Sequence, residues 1–184
     1  MDSFKTPIEG LLVLTPTVFK DNRGYFYESY NQATLENLGI SNIFVQDNES
    51  FSTQYTLRGL HFQKPPFAQA KLVRVLEGAV WDVAVDLRKE SKTFGKWFGV
   101  ELSAENKKQF FIPRGFAHGF AVLTPVAKFA YKCDNFYHKE AEGAVLFSDK
   151  DLNIDWKIDV SKAVLSQKDL VNPAFELYKE HPCF

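Results

Sequence analysis

The sequence predicts an all-β sandwich or barrel, and three observations carry that prediction. Short apolar or aromatic runs, most of them bounded by Gly, Pro, Asn or Asp, recur along the chain at roughly 8–12-residue spacing. Between Ala79 and Leu87 the residues alternate with period two, Ala79, Trp81, Val83, Val85 and Leu87 against Val80, Asp82, Ala84 and Asp86. Helical patterning is confined to short stretches, which argues against the crossover helices of βαβ units.

Taken in order, GLLVLTPTVF (10–19) and GYFYESY (24–30) are the first strand-like runs. A short helix is expected over Gln32–Leu38, with Asn31 as its cap. NIFVQDNES (42–50) and LRGLHFQ (57–63) follow as strands. The segment KLVRVLEGAVWDVAVDLR (71–88) reads as two strands joined by a tight reversal at Glu77-Gly78, hence a hairpin. KWFGVEL (96–102), KQFFIP (108–113), HGFAVLT (118–124) and AKFAYKCDNFY (127–137) complete the strand set, and Ser166–Leu170 is a second short helix. Phe, Tyr and Trp suit a pleated interior, where β-branched and aromatic side chains pack well. No repeat, low-complexity tract or linker interrupts the chain, so a single domain over 1–184 is expected.

The charge balance, 22 Lys+Arg against 23 Asp+Glu for a net −1, lacks the clustered cations that a nucleic acid or an anionic membrane requires. A small ligand whose charge is met locally fits better. MDSFKTPIEG lacks the basic start and apolar core of a signal peptide, and no apolar run approaches the roughly 18 residues that span a bilayer. A cytoplasmic location is the expectation. Cys133 and Cys183 stand 50 positions apart with no CxxC, which favours free thiols over a disulfide or a zinc site.

Charged residues within apolar strands mark candidate chemistry, since burying them is costly unless they are paired or serve a pocket. His61 lies in a strand with Arg58 three residues before it, Lys71 opens the next strand, and Asp82 and Asp86 share one face of the strand after that. A lone strand histidine is more often a hydrogen-bonded structural residue, and Tyr131, in phase with Phe129 and Cys133, reads equally as a core tyrosine. Arg23-Gly24 with Phe19, Phe26 and Glu28 has the ingredients to hold a phosphate and stack a base, or else is a strand end with surface charge. Pro113-x-Gly115-x-x-His118 looks like one conserved element of the cupin jelly roll, but the paired His-x-His of a metal cupin is missing and RGLHFQ offers only His61.

Together these segments are closely similar to the dTDP-4-dehydrorhamnose 3,5-epimerase family, metal-free cupins of deoxysugar-nucleotide biosynthesis. The resemblance runs through FKDNRGYFYESYN, FVQDNES, LRGLHFQ, QAKLVRVLEGAVWDVAVDLRKES, TFGKWFGVELSAENKKQFFIPRGFAHGF, YKCDNFY, SDKDLNIDW and LSQKD. It implies a mainly β, cupin-type jelly-roll barrel that forms a homodimer by exchanging N-terminal strand contacts, with a nucleotide-sugar bound at the barrel mouth and no cofactor. By the same resemblance His61 is the proton acceptor with Asp169 as its dyad partner, Tyr131 the proton donor, and Lys71 the cation beside the enolate oxygen. Arg58 and Arg23 would meet the diphosphate, Gln46, Asp47 and Asn48 would line the pocket, and Tyr137 would stack on thymine. His118, Glu142 and Lys168 match further binding positions, and Phe26 and Glu28 join Arg23.

Relatives that epimerise only C3, or that isomerise the 3- and 4-positions, share the implied fold, so the motifs fix the enzyme class and not the number of carbons inverted. A non-catalytic sugar-nucleotide-binding jelly roll would keep the arginines and stacking aromatics without needing His61, Lys71, Tyr131 and Asp169 together. A metal-dependent cupin oxygenase conflicts with the missing His-x-His and carboxylate pattern.

Overall fold

In the computed structural model, which describes residues 1–184, period-two alternation is realised as thirteen strands and three short α-helices. The strands are β1 (Asp2–Lys5), β2 (Leu12–Thr15), β3 (Phe19–Asp21), β4 (Gly24–Phe26), β5 (Gln46–Thr53), β6 (Leu57–Gln63), β7 (Lys71–Glu77), β8 (Ala79–Asp86), β9 (Trp97–Ser103), β10 (Gln109–Ile112), β11 (Phe116–Val122), β12 (Val126–Cys133) and β13 (Glu142–Ala144). The helices are α1 (Gln32–Asn37), α2 (Gln167–Leu170) and α3 (Phe175–Glu180). Both sequence-expected helices form where their caps place them: the Asn31 carboxamide oxygen accepts from the Thr34 amide at 3.1 Å, and Ser166 caps α2.

Two antiparallel sheets face each other. One has the order β1-β2-β10-β7-β12-β5, the other β13-β6-β11-β8-β9, and β3-β4 forms a separate two-stranded hairpin. Between the large sheets lies the barrel interior, where Val73, Val75, Phe110 and Phe129 from one sheet meet Val80, Leu102, Phe116 and Phe120 from the other. The five-stranded sheet is covered on its back as well: Val83, Val85 and Leu87 pack under Phe147, Trp156, Phe175 and Tyr178 of the C-terminal segment. Burial on both faces is why β11 is buried at every position and why β8 carries so few polar residues.

The segment 71–88 does not form the expected hairpin. β7 pairs with β10 and β12, whereas β8 pairs with β11 and β9, so the chain crosses from one sheet to the other at Gly78. Gly78 adopts a φ of +75°, and a Cβ there would sit 2.0 Å from the Val126 carbonyl oxygen, so only glycine fits this corner. A Gly after an apolar run marks a change of direction. It does not distinguish reversal within a sheet from passage between sheets.

A bulge in β6 shapes the site. His61 stands opposite His118 and Arg58 opposite Phe120, so three steps on β6 match two on β11. The extra residue sits at Gly59, with φ +125°, where a Cβ would lie 2.5 Å from the Gly119 Cα. In a regular strand residues three apart face opposite sides. The bulge restores Arg58 and His61 to the same cavity.

Candidate active site

Two adjoining cavities of about 740 Å³ and about 650 Å³ open between the sheets, within the size range of small-molecule sites, about 300–1,000 Å³. They share Asn48, His61, Lys71 and Tyr131, which therefore stand at their junction. His61 comes from β6 of the five-stranded sheet, and adjacent strands of the six-stranded sheet supply the others in register: Tyr131 of β12 is opposite Asn48 of β5, and Cys133 is flanked by Gln46 on one side and Lys71 on the other. The five from the six-stranded sheet lie at alternate positions of their strands, so one sheet face presents them together.

The His61 Nε2 lies 2.6 Å from the Asp169 Oδ1, across 108 residues of sequence. Asp169 is itself fixed, because the Ser166 hydroxyl donates to its Oδ2 at 2.8 Å and its amide donates to the Ser166 hydroxyl at 3.1 Å. Engaging Nε2 with a carboxylate puts the proton on that nitrogen and leaves the Nδ1 lone pair available as a base. Burial would raise the Asp169 pKa, but the hydrogen bonds from His61 and Ser166 outweigh it and hold the carboxyl below its ordinary value. A depressed folded pKa contributes stability that is present above the unfolded value, about 3.9, and is lost as pH falls through the folded one. Asp169→Asn is therefore expected to lower Tm at neutral pH and to show a shallower fall in Tm on acidification. A Tm series from about pH 7 to about pH 2 reads this; a variant that falls as steeply as the parent contradicts it.

Lys71 is drawn into the wall, and burial lowers its pKa, opposed by the nearby Asp82 carboxylate. Its ammonium lies 5.7 Å from the centre of the Tyr131 ring. Beneath it, the His118 Nε2 is 3.0 Å from both oxygens of Asp82, a fully buried carboxylate. Burial raises Asp82 and lowers His118, and the hydrogen bond between them opposes both shifts. Burial also raises the Tyr131 pKa, keeping its hydroxyl protonated, and pushes the Cys133 thiol up to about 11. Cys133 is thus a neutral wall residue.

Arg58 opens into the second cavity with its Nε donating to the Ser52 hydroxyl at 3.1 Å. At the rim of the first, the Tyr137 amide donates to the Gln46 side-chain oxygen at 2.9 Å, and Lys168 of α2 pairs with Glu142 of β13. Of the sequence-expected site residues, Gln46, Asn48, Arg58, His61, Lys71, His118, Tyr131, Tyr137, Glu142, Lys168 and Asp169 line these two cavities.

Four do not. Asp47 points to the opposite face of β5, where it pairs with Lys132 at 2.8 Å, because neighbours on a strand cannot share a face with both Gln46 and Asn48. Arg23 stands at the turn of the β3–β4 hairpin, Phe26 opposite Phe19 at its open end, and Glu28 follows it, all three outside both cavities. Ser50 was not anticipated: in phase with Gln46 and Asn48, it lines the second cavity with a buried hydroxyl that has no partner. Also unanticipated is the C-terminal wall of the first cavity, Asn172, Leu177, Tyr178 and His181, which no local pattern announces. No cluster of three or more potential metal ligands forms, and no helix is long and apolar enough to cross a membrane.

A sequence profile of the family described as dTDP-4-dehydrorhamnose 3,5-epimerase matches residues 5–176. The chain belongs to the dTDP-4-dehydrorhamnose 3,5-epimerase family. The Shigella flexneri protein of that name is 54% identical over 176 residues, covering 95% of this chain and 96% of the relative. The crystal structure of the epimerase from Elizabethkingia anophelis superposes with a TM-score of 0.93 at 59% identity, over 97% of this chain and 98% of that one. The Legionella pneumophila epimerase, solved in complex with dTDP-4-keto-L-rhamnose, gives 0.94 at 47% identity over 99% and 96%. Likeness over nearly the whole length, to epimerase structures of the cupin jelly-roll fold, makes this chain a jelly roll of the same kind.

Proposed function

We propose that the protein converts dTDP-4-dehydro-6-deoxy-D-glucose to dTDP-4-dehydro-L-rhamnose by inverting C3 and C5 of the sugar. The observation that carries this reading is the His61–Asp169 pair at 2.6 Å, set in a cavity wall with Lys71 and Tyr131. A binding module needs cations and aromatic faces; it has no use for a histidine whose far nitrogen is held by a buried carboxylate.

The chemistry follows from the ketone. The C4 carbonyl acidifies the protons on C3 and C5, so a positioned base can remove one if the enolate oxygen is stabilised. In the proposed sequence the His61 Nδ1 takes the proton, Asp169 supports the imidazolium, and the C–H pair moves into the enolate. Lys71 faces the developing negative oxygen. Tyr131 then gives its hydroxyl proton to the opposite face of the same carbon, restoring the ketone. The imidazolium returns a proton to solvent and the tyrosinate takes one, so no oxidant, reductant or cofactor enters the balance.

Arg58, with Ser50 and Ser52 in the same cavity, supports a diphosphate site, and Tyr137 at the rim is the aromatic for thymine. Arg23, Phe26 and Glu28 lie outside their own cavity, and Phe19 and Phe26 are 63% and 70% exposed. Exposed rings at one end of a hairpin that carries an arginine at its turn fit a hairpin that is covered by, and completes, the nucleotide site of a second copy of the chain. Incubating the purified protein with the 4-keto sugar nucleotide in deuterated solvent and reading C3 and C5 separately by NMR tests the assignment. Deuterium and inversion at both carbons are expected. Exchange at C3 alone would make it a monoepimerase, and exchange at neither would leave only binding.

A further inference from the structure

The β3–β4 hairpin has no main-chain pairing with either large sheet. Strands of three residues do not hold a position by themselves, so side chains must fix this one against the barrel. Three contacts do so. The Lys107 ammonium donates to the Tyr25 hydroxyl at 2.8 Å and lies 4.1 Å from the centre of the Tyr25 ring and 5.9 Å from that of Tyr27. The Arg74 guanidinium on β7 donates to the Tyr27 hydroxyl at 3.1 Å. The Gln109 carboxamide on β10 donates to the Ser29 carbonyl at 2.8 Å.

Lys107 is presented by a built turn between β9 and β10. The Ser103 amide donates to the Asn106 side-chain oxygen at 3.1 Å, the Asn106 amide returns a bond to the Ser103 hydroxyl at 3.0 Å, and the Lys108 amide donates to the same Asn106 oxygen at 2.9 Å. Lys107 itself has a φ of +56°, a conformation that non-glycine residues rarely take, and its amide is held by the Ser103 carbonyl at 3.1 Å. The turn thus points one cation at Tyr25 of the hairpin and at Tyr27 directly after it. At the hairpin's tip Asp21 binds the Arg23 guanidinium at 2.6 Å, which orients Arg23 relative to the hairpin but not relative to the barrel.

We propose that Lys107 is a positioning residue for nucleotide binding: through Tyr25 and Tyr27 it sets the angle at which the hairpin carries Arg23 and Phe26 to the cavity of the second subunit. The inference rests on the reading of that hairpin given under the proposed function. A fixed hairpin loses less freedom when the nucleotide binds, so the benefit falls on affinity and leaves the proton transfers untouched.

Lys107→Met in the full-length protein is expected to raise KM for dTDP-4-dehydro-6-deoxy-D-glucose, and Kd for dTDP, about tenfold while kcat stays within about twofold. Lys107→Arg keeps the cation and should recover most of the affinity. Tyr25→Phe keeps the ring but not the hydroxyl and should fall between. Arg23→Ala is measured alongside. If Arg23→Ala raises KM and Lys107→Met does not, the positioning role is overturned while the hairpin's part in binding stands. If neither raises KM, both are overturned together. A Lys107→Met variant that loses kcat at unchanged KM also overturns it.

Discussion

His61→Ala is expected to lower kcat by about 10²–10⁴-fold, the range that a positioned base contributes, and to slow solvent deuterium uptake at C3 and C5 by the same factor. The equality matters. His61 is the one imidazole in the cavity wall whose Nε2 is occupied by Asp169, leaving Nδ1 as the free base, whereas His118 spends its Nε2 on Asp82 deep in the barrel. If one base serves both carbons, both exchange rates fall together. Loss at one carbon with exchange retained at the other would assign a second base. Exchange at the parent rate at both would remove His61 from the chemistry.

Lys71→Ala should lower kcat by about 10²–10³-fold with a smaller change in KM, as expected for a donor whose interaction grows with charge on the enolate oxygen. Burial makes this cation expensive to keep in the wall, and Asp82 opposes that cost. Lys71 faces both cavities and makes no hydrogen bond within the fold, which supports the proposed role of its ammonium beside the enolate oxygen. Steady-state kinetics separate the alternatives: a rise in KM at constant kcat would mean that Lys71 binds substrate and reaction intermediate equally well, and the electrostatic role would be lost.

Most strands were legible because their signal is local; β1 and β13, short and without an apolar run of their own, were not read. LRGLHFQ forms β6 at its sequence-read limits, 57–63, α1 starts after its expected cap Asn31, and α2 falls within the expected Ser166–Leu170 stretch. What could not be read was relational. The Gly78 corner resembles a hairpin turn because the residues that exclude a side chain there, Thr124 and Val126, lie far along the chain. Likewise α3 and the back face it covers are explained only by the apolar positions of β6, β8 and β11 beneath the C-terminal segment.

The site shows the same division. Parity alone puts Gln46, Asn48 and Ser50 on one face of β5 and Asp47 on the other, a distinction the residue-by-residue resemblance did not make. Parity fails for Arg58 and His61, which share a cavity only because of the Gly59 bulge. The pairing of His61 with Asp169 carries no local signature, and the resemblance supplied it.

In the proposed mechanism His61 removes the proton on one face and Tyr131 delivers one on the other, and Tyr131→Phe in deuterated solvent separates the two steps. The variant keeps the ring against Phe129 and removes only the hydroxyl. NMR of the sugar should show deuterium entering at C3 and C5 with the original configuration retained and inverted product strongly reduced. Inversion at the parent rate would exclude Tyr131 as the donor and assign the far face to another group.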